Sequence, residues 1–138
     1  MTKKIRIMLA DDHEMFRQAL RMWLELAPDL DVIAEAHDSE SVLQGAGDAL
    51  PDIVCMDVDM HGLNGIETTR QLLARFPHIK VIGLSAHVDP VRVADMLNAG
   101  ACGYVIKGNS GDELLTAIRT VIRHQLYLSP ELELKDSA

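Results

Sequence analysis

The sequence has 138 residues, of which 48% are hydrophobic and 25% are charged, and its formal net charge is −8. This balance is typical of one folded globular domain and argues against a disordered chain. The negative charge would repel a phosphate backbone, so we expect partners other than nucleic acid for these residues.

Short apolar runs bounded by turn signals alternate with segments of helical periodicity. Strands are predicted at residues 5–10, 30–36, 53–57, 80–84 and 103–106, and helices at 15–27, 39–49, 65–76, 90–99 and 112–124. Gly45 and Gly47 each cost up to about 1 kcal/mol relative to Ala, so we expect the second helix to be short or frayed. The alternation predicts an α/β fold with one doubly wound, five-stranded parallel sheet.

The last part of the chain lacks helical or strand periodicity. Residues 125–138 include the turn signal Ser129-Pro130, and we interpret this segment as a linker or a frayed tail. The predicted domain therefore covers residues 1–124.

Polar side chains end or follow four of the five predicted strands: Asp11 and Asp12 the first, Asp57 the third, Ser85 the fourth and Lys107 the fifth. The carboxyl ends of parallel strands share one edge of the sheet, where ligands bind. Asp57 is therefore expected at an exposed rim. Three crowded carboxylates raise one another's pKa values, and a divalent cation relieves this repulsion. Hard oxygen ligands favour Mg²⁺.

A hydroxyl group and an ammonium group converge at this edge with the predicted cation, so an anion is expected between Ser85 and Lys107. A phosphoryl group on Asp57 fits, because its transfer needs in-line positioning and charge neutralisation. Two alternatives remain open. Asp57 is also a suitable cap for the following helix, and Lys107 is also a candidate for surface ion pairs with Asp112 or Glu113.

The set Asp11-Asp12, Asp57, Ser85-Ala86, Tyr104 and Lys107 resembles the receiver domain of bacterial two-component response regulators over residues from about 5 to 124. Three stretches are similar to the NarL/FixJ-type subgroup, whose receivers precede a helix-turn-helix DNA-binding domain: Ala10-Asp11-Asp12-His13, Asn98-Ala99-Gly100-Ala101-Cys102-Gly103-Tyr104 and Tyr127-Leu128-Ser129-Pro130. The resemblance implies a flavodoxin-like (βα)5 fold with strand order 2-1-3-4-5.

By this resemblance, Asp57 is the phosphoacceptor for a sensor histidine kinase. Asp12 and Asp57 ligate Mg²⁺, Asp11 lies in the first or second ligand shell, and the backbone carbonyl of Asp59 completes the protein ligands. Lys107 clamps the phosphoryl group.

Ser85 and Tyr104 form the switch pair that the resemblance implies. We expect the phosphoryl group to draw Ser85 inward and the Tyr104 ring to leave the surface. That change implies a phosphorylation-dependent homodimer and DNA control only through an output domain absent from this chain. Self-phosphorylation and slow self-dephosphorylation are the only reactions implied, so a conventional enzyme is not expected.

Two residues depart from the family pattern. His61 stands where Pro is usual, which affects the rigidity of its loop, and Gly108 follows Lys107 where a residue with restricted φ is common. A further alternative is a phosphatase of the haloacid-dehalogenase type, because Asp57-Val58-Asp59 fits its Asp-x-Asp signature. That signature is expected on the first strand of a longer chain.

Three loop histidines, His13, His61 and His87, lie near the predicted acidic edge. They allow a transition-metal site, although solvated histidines fit their separate loops better. The two cysteines lack metal-ligand spacing and are expected to be reduced thiols. The chain has no apolar run of membrane-spanning length and no apparent signal peptide, so we expect a cytoplasmic protein without membrane contact.

Overall fold

Strands and helices alternate along the chain, as the sequence predicts. The computed structural model describes residues 3–60, 64–109 and 111–132. The strands are β1 (Ile5–Ala10), β2 (Leu30–Ala36), β3 (Ile53–Asp57), β4 (Lys80–Ser85), β5 (Gly103–Ile106) and β6 (Tyr127–Leu128). The helices are α1 (Glu14–Glu25), α2 (Ser39–Ala49), α3 (Gly65–Arg75), α4 (Pro90–Asn98) and α5 (Gly111–Val121).

The described strands form one parallel sheet in the order β2-β1-β3-β4-β5-β6. Alternate residues of each central strand point to opposite faces. Met8, Val54 and Met56 pack with α2, α3 and α4, whereas Ile7 and Cys55 pack with α1 and α5. Both faces of the sheet are therefore buried, which explains the nearly continuous apolar runs of the strands.

The helices run from 9 to 12 residues. Across the described ranges, none combines the length and the apolar character that a bilayer crossing requires. Four helices end earlier than predicted. Helix α1 stops at Glu25 and α5 at Val121, and α3 and α4 stop one residue early, at Arg75 and Asn98.

The second helix is continuous over Ser39–Ala49, so the prediction of a short or frayed element is wrong. A capping box supports its start, in which the Asp38 carboxylate accepts from the Ser41 N–H and the Ser41 hydroxyl accepts from the Asp38 N–H. Gly45 also has a packing role, because an added Cβ would lie 2.8 Å from Cε of Met8 on the sheet. The close contact between helix and sheet thus offsets the low helix propensity of glycine.

The segment after α5 is part of the fold, and this finding corrects the predicted strand number from five to six. β6 pairs in parallel with β5 through Gly103 and Tyr104. Ser129 is fully buried, and its hydroxyl accepts from the Ile106 N–H at 3.0 Å and donates to the Glu113 carboxylate. The described part of residues 125–138 is therefore anchored to the sheet edge, not frayed, because Ser129 satisfies polar groups that a loop would leave to water.

Replacement of Ser129 by alanine should lower the free energy of unfolding by about 1–3 kcal/mol, because the buried Ile106 N–H loses its acceptor. Urea denaturation followed by circular dichroism measures this change. Thr116→Ala is the matched control, since the exposed Thr116 hydroxyl bonds only the Asp112 carbonyl of its own helix, and it should change stability by less than about 0.5 kcal/mol. Equal effects of the two substitutions would contradict the assigned role of Ser129.

Candidate functional site

Asp57 ends β3 and is buried, with only 1% of its side chain exposed. The prediction of an exposed rim position is therefore wrong, because the loops after β1 and β5 close over the strand end. Asp57 Oδ1 accepts from the Asp59 N–H at 3.0 Å, whereas Asp57 Oδ2 is buried without a hydrogen bond among the described residues. Burial, followed by the nearby Asp11 carboxylate, raises the pKa of Asp57 to about 6.

Lys107 follows β5 and brings a positive charge to this buried carboxylate. Its Nζ lies 2.8 Å from Asp11 Oδ2 and 3.5 Å from Asp57 Oδ2, and 11% of its side chain is exposed. The ammonium also lies 4.5 Å from the centroid of the Phe16 ring. Lys107 is thus a member of the acidic cluster, and the alternative in which it is a surface lysine paired with Asp112 or Glu113 is wrong.

The backbone on both sides of Lys107 is regular. The Lys107 N–H donates to the Ser85 carbonyl at 2.7 Å, which extends the β4–β5 pairing to the start of the loop. Gly108 has no positive φ, and an added Cβ there would meet no atom within 4 Å. The departure at Gly108 therefore places no special constraint on Lys107, whereas His61 lies outside the described residues.

His13 is solvent-exposed, as expected of a loop histidine, with 64% of its side chain accessible, but it also joins the cluster. Its Nδ1 lies 3.0 Å from Asp11 Oδ1, 3.3 Å from Asp12 Oδ1 and 3.7 Å from Asp57 Oδ2. His87, by contrast, is exposed. The sequence contained a usable signal for this placement, because His13 directly follows Asp11-Asp12 and shares their loop.

Ligand atoms of Asp11, Asp12, His13 and Asp57 all lie within 4.8 Å of one another. This spacing is suitable for one cation, and the buried Asp57 Oδ2 atom points to the same need for positive charge. Oxygen atoms dominate the set, as a hard divalent cation requires. The predicted role of Asp59 concerns its backbone carbonyl and stays a prediction.

The Asp59 side chain faces the other side of the site. It forms an ion pair with Arg92 in the first turn of α4, and Asp59 Oδ2 lies 3.5 Å from the Ser85 hydroxyl. The Ser85 hydroxyl in turn accepts from the His87 N–H at 3.1 Å. Sequence reasoning missed Arg92, because its contact with Asp59 depends on how α4 packs beside β4.

Tyr104 is fully buried in this structure. Its ring lies beside Gly83, where an added Cβ would be 3.1 Å from the ring Cδ2 and 3.0 Å from Cε of Met96. Burial raises the pKa of the Tyr104 hydroxyl, an effect that the nearby Ser85 hydroxyl opposes. The ring thus already occupies the inward position that was expected only after phosphorylation.

An apolar hollow of about 250 Å³ lies beside Lys107, between α1 and α5. Its lining includes Phe16, Leu20, Trp23 and Leu114. The Trp23 indole lies against the backbone at Gly111 and is 41% exposed. The chain contains no other tryptophan.

Comparison with known families decides the identity of this arrangement. The family model described as the response regulator receiver domain matches residues 7–119 of this chain. The chain belongs to this family. Receivers of this kind are signalling domains of two-component systems, not conventional enzymes. Membership in the receiver family excludes the alternative of a phosphatase of the haloacid-dehalogenase type. In such a phosphatase Asp59 would act as a general acid, whereas here its side chain forms an ion pair with Arg92.

Relatives among known proteins place this receiver in the NarL/FixJ-type group. It is 36% identical over 129 residues to the transcriptional regulatory protein DegU of Brevibacillus brevis, covering 94% of this chain and 55% of DegU. It is 38% identical over 128 residues to the response regulator GacA of Pseudomonas viridiflava, covering 93% of this chain and 60% of GacA. The receiver thus spans little more than half the length of these relatives.

Solved structures confirm the fold. A LuxR-family two-component response regulator from Aurantimonas sp. SI85-9A1 has a TM-score of 0.92 and 32% identity, with 96% of this chain and 94% of that chain covered. The signal receiver domain of the response regulator NarL from Mycobacterium tuberculosis has a TM-score of 0.83 and 27% identity, with 89% and 99% covered. The predicted flavodoxin-like parallel fold is therefore confirmed, with the added edge strand β6.

Proposed function

We propose that this receiver accepts a phosphoryl group on Asp57 from the phosphohistidine of a sensor histidine kinase. The observation that carries the proposal is the buried Asp57 Oδ2, which lacks a hydrogen bond among the described residues and faces Lys107 at 3.5 Å. A carboxylate oxygen with this environment is free to act as a nucleophile. Asp57 Oδ1 is held by the Asp59 N–H, which fixes the plane of the carboxylate.

The residues present fit Mg²⁺. Asp12 and Asp57 would hold the ion, with Asp11 and the Asp59 backbone carbonyl as further oxygen groups. When bound, Mg²⁺ neutralises negative charge on the carboxylates and on the phosphoryl oxygens. The cluster needs such a cation because its carboxylates carry more negative charge than one ammonium group, that of Lys107, can neutralise.

In the proposed transfer, Asp57 Oδ2 forms a bond to phosphorus while the bond from phosphorus to the kinase imidazole nitrogen breaks. The kinase imidazole, which carries a proton on its other ring nitrogen before transfer, leaves as the neutral base, and an acyl phosphate remains on Asp57. Lys107 holds negative charge on the equatorial oxygens as it develops. Acetyl phosphate replaces the kinase as donor in the same step, with acetate as the leaving group.

Ser85 is the proposed hydrogen-bond donor to the bound phosphoryl group. At present its hydroxyl lies 3.5 Å from Asp59 Oδ2, a long contact that a more highly charged acceptor would replace. Because Tyr104 is already buried, the proposed change affects the loop after β4 and the start of α4 more than the ring itself. The face formed by α4, β5 and α5 is the proposed site of phosphorylation-dependent homodimerisation.

The proposed output is transcriptional control through a DNA-binding domain outside this chain. The name of one relative, the transcriptional regulatory protein DegU, supports this role. The net charge of −8 argues against direct DNA binding by these residues. The proposed compartment is the cytoplasm, where sensor kinases of this family act, and slow self-dephosphorylation resets Asp57.

Intact mass spectrometry tests the proposal. Incubation with acetyl phosphate and Mg²⁺ should add one phosphoryl group to the parent protein, and a chelator should prevent the addition. Reduction of the acyl phosphate with borohydride followed by peptide mapping should identify Asp57. Modification that is unaffected by chelation, or that maps elsewhere, would contradict the proposal.

A further inference from the structure

Both backbone polar groups of His13 form hydrogen bonds close to it in the sequence. The His13 N–H donates to Asp11 Oδ1 at 2.8 Å, and its carbonyl accepts from the Arg17 N–H at 2.9 Å as α1 begins. His13 occupies the N-cap position, but its side chain makes no capping hydrogen bond. The imidazole turns instead toward the acidic cluster, where its Nδ1 lies within hydrogen-bonding distance of Asp11 Oδ1.

The Nδ1 atom lies within 3.0–3.7 Å of carboxylate oxygens from Asp11, Asp12 and Asp57. Lys107 Nζ lies 3.2 Å from the same nitrogen. An octahedral ion with ligands at about 2.1 Å separates neighbouring ligand atoms by about 3.0 Å and opposite ones by about 4.2 Å. The mutual spacing of the four ligand atoms, all within 4.8 Å, is of this size.

The buried Asp57 Oδ2 is an independent observation that points to a ligand at this place. Its side chain is 1% exposed, and the atom has no hydrogen bond within the described ranges. His13, in contrast, is 64% exposed. The carboxylates of Asp11 and Asp57 are thus buried, and the His13 nitrogen approaches them from the solvent side.

We propose that His13 is a nitrogen ligand of this cation site and gives it a preference for borderline metals such as Co²⁺ or Zn²⁺ over Mg²⁺. This inference rests on the proposed function, because it concerns the ion that supports phosphorylation. Imidazole binds late first-row divalent metals well, whereas Mg²⁺ prefers oxygen and water. The sequence alone did not favour this role, since the three loop histidines showed no metal-ligand spacing.

Calorimetric titration of tag-free protein with Co²⁺ and, separately, with Mg²⁺ tests the inference. His13→Ala should weaken Co²⁺ binding by about tenfold or more, by analogy with losses at metal-site residues, and should change Mg²⁺ binding by less than about threefold. The visible absorption of bound Co²⁺ should shift as one nitrogen ligand is replaced by oxygen. His13→Asn keeps a favourable N-cap residue and should show the same loss of Co²⁺ preference, which separates ligation from folding.

His87→Ala is the matched control, since His87 is an exposed loop histidine outside the cluster, and it should bind both ions as the parent does. Unchanged Co²⁺ binding in both His13 variants would overturn the inference. Tighter binding of both ions in His13→Ala would also overturn it, because His13 would then obstruct the site.

The outcomes also separate this inference from the proposed function. Phosphorylation of Asp57 with Mg²⁺ together with unchanged Co²⁺ binding in His13→Ala would contradict only the role of His13. Loss of Co²⁺ binding in His13→Ala without any phosphorylation of the parent would support the ligand and contradict the proposed function. Asp12→Ala should lose both ions, since it removes an oxygen ligand that both require.

Discussion

Asp57→Ala should accept no phosphoryl group from acetyl phosphate under conditions that modify the parent fully. The neighbouring carboxylates are not expected to substitute for it. Asp11 Oδ1 already accepts from the His13 N–H at 2.8 Å, and Asp11 Oδ2 forms an ion pair with Lys107 at 2.8 Å. Asp57 Oδ2 lies farther from the Lys107 ammonium, at 3.5 Å, and accepts no hydrogen bond among the described residues, so it is the oxygen proposed to attack phosphorus.

Time courses of intact mass in the presence of Mg²⁺ measure this effect, and a fall in rate of at least about 100-fold is expected when the nucleophile is lost. Asp31→Ala is the control, because Asp31 is exposed on β2 and its loss changes net charge equally. Modification of Asp11 or Asp12 in the Asp57→Ala protein at the parent rate would show that the acceptor is wrongly assigned.

Asp57→Asn should stabilise the metal-free protein by about 1–3 kcal/mol at pH 7.5. Burial and then Asp11 raise the pKa of Asp57 in the folded state to about 6, against an ordinary value of 3.8. The folded state therefore holds this proton more tightly than the unfolded state does. The contribution of Asp57 to stability is most favourable below about pH 4 and is lost as the pH rises through about 6, so at pH 7.5 nearly the full cost of the buried charge is present.

Asparagine keeps an oxygen that accepts from the Asp59 N–H and removes the charge. Urea denaturation in the presence of a chelator measures the free energy of unfolding of the parent and of Asp57→Asn. The two values should be similar at pH 4 and should differ most at pH 7.5. Mg²⁺ should stabilise the parent more than Asp57→Asn, because binding to the folded state raises its stability. Asp31→Asn controls for the change in net charge. If Asp31→Asn were stabilised as much as Asp57→Asn, the burial of Asp57 would not be the cause of the higher stability.

The strand positions and their order along the chain were predictable from the sequence. Apolar runs buried on both faces give a strong pattern. The polar residues that end or follow these runs are Asp11, Asp12, Asp57, Ser85 and Lys107. Parallel pairing then requires these residues to meet at one edge of the sheet. The sequence therefore predicts the carboxylates, the hydroxyl group and the ammonium group of the site, but not the places of His13 and Arg92, and the family match supports the interpretation of the set.

Properties that depend on packing were not predictable. The burial of Asp57 depends on loops from other strands, and the pairing of Asp59 with Arg92 depends on the position of α4. Helix α2 persists despite Gly45 because the glycine allows contact with Met8, a distant residue in sequence. The β6 segment has only two paired residues, too few for a periodic pattern.

The apolar hollow between α1 and α5 contains an intrinsic fluorophore. Its wall includes Trp23, the single tryptophan, and also Lys107, whose ammonium contacts the site carboxylates. Indole emission depends on local polarity and on nearby groups, so a rearrangement at Lys107 should change the fluorescence of Trp23. Ion binding and phosphoryl transfer can therefore be followed in real time by steady-state and stopped-flow emission, without any attached dye.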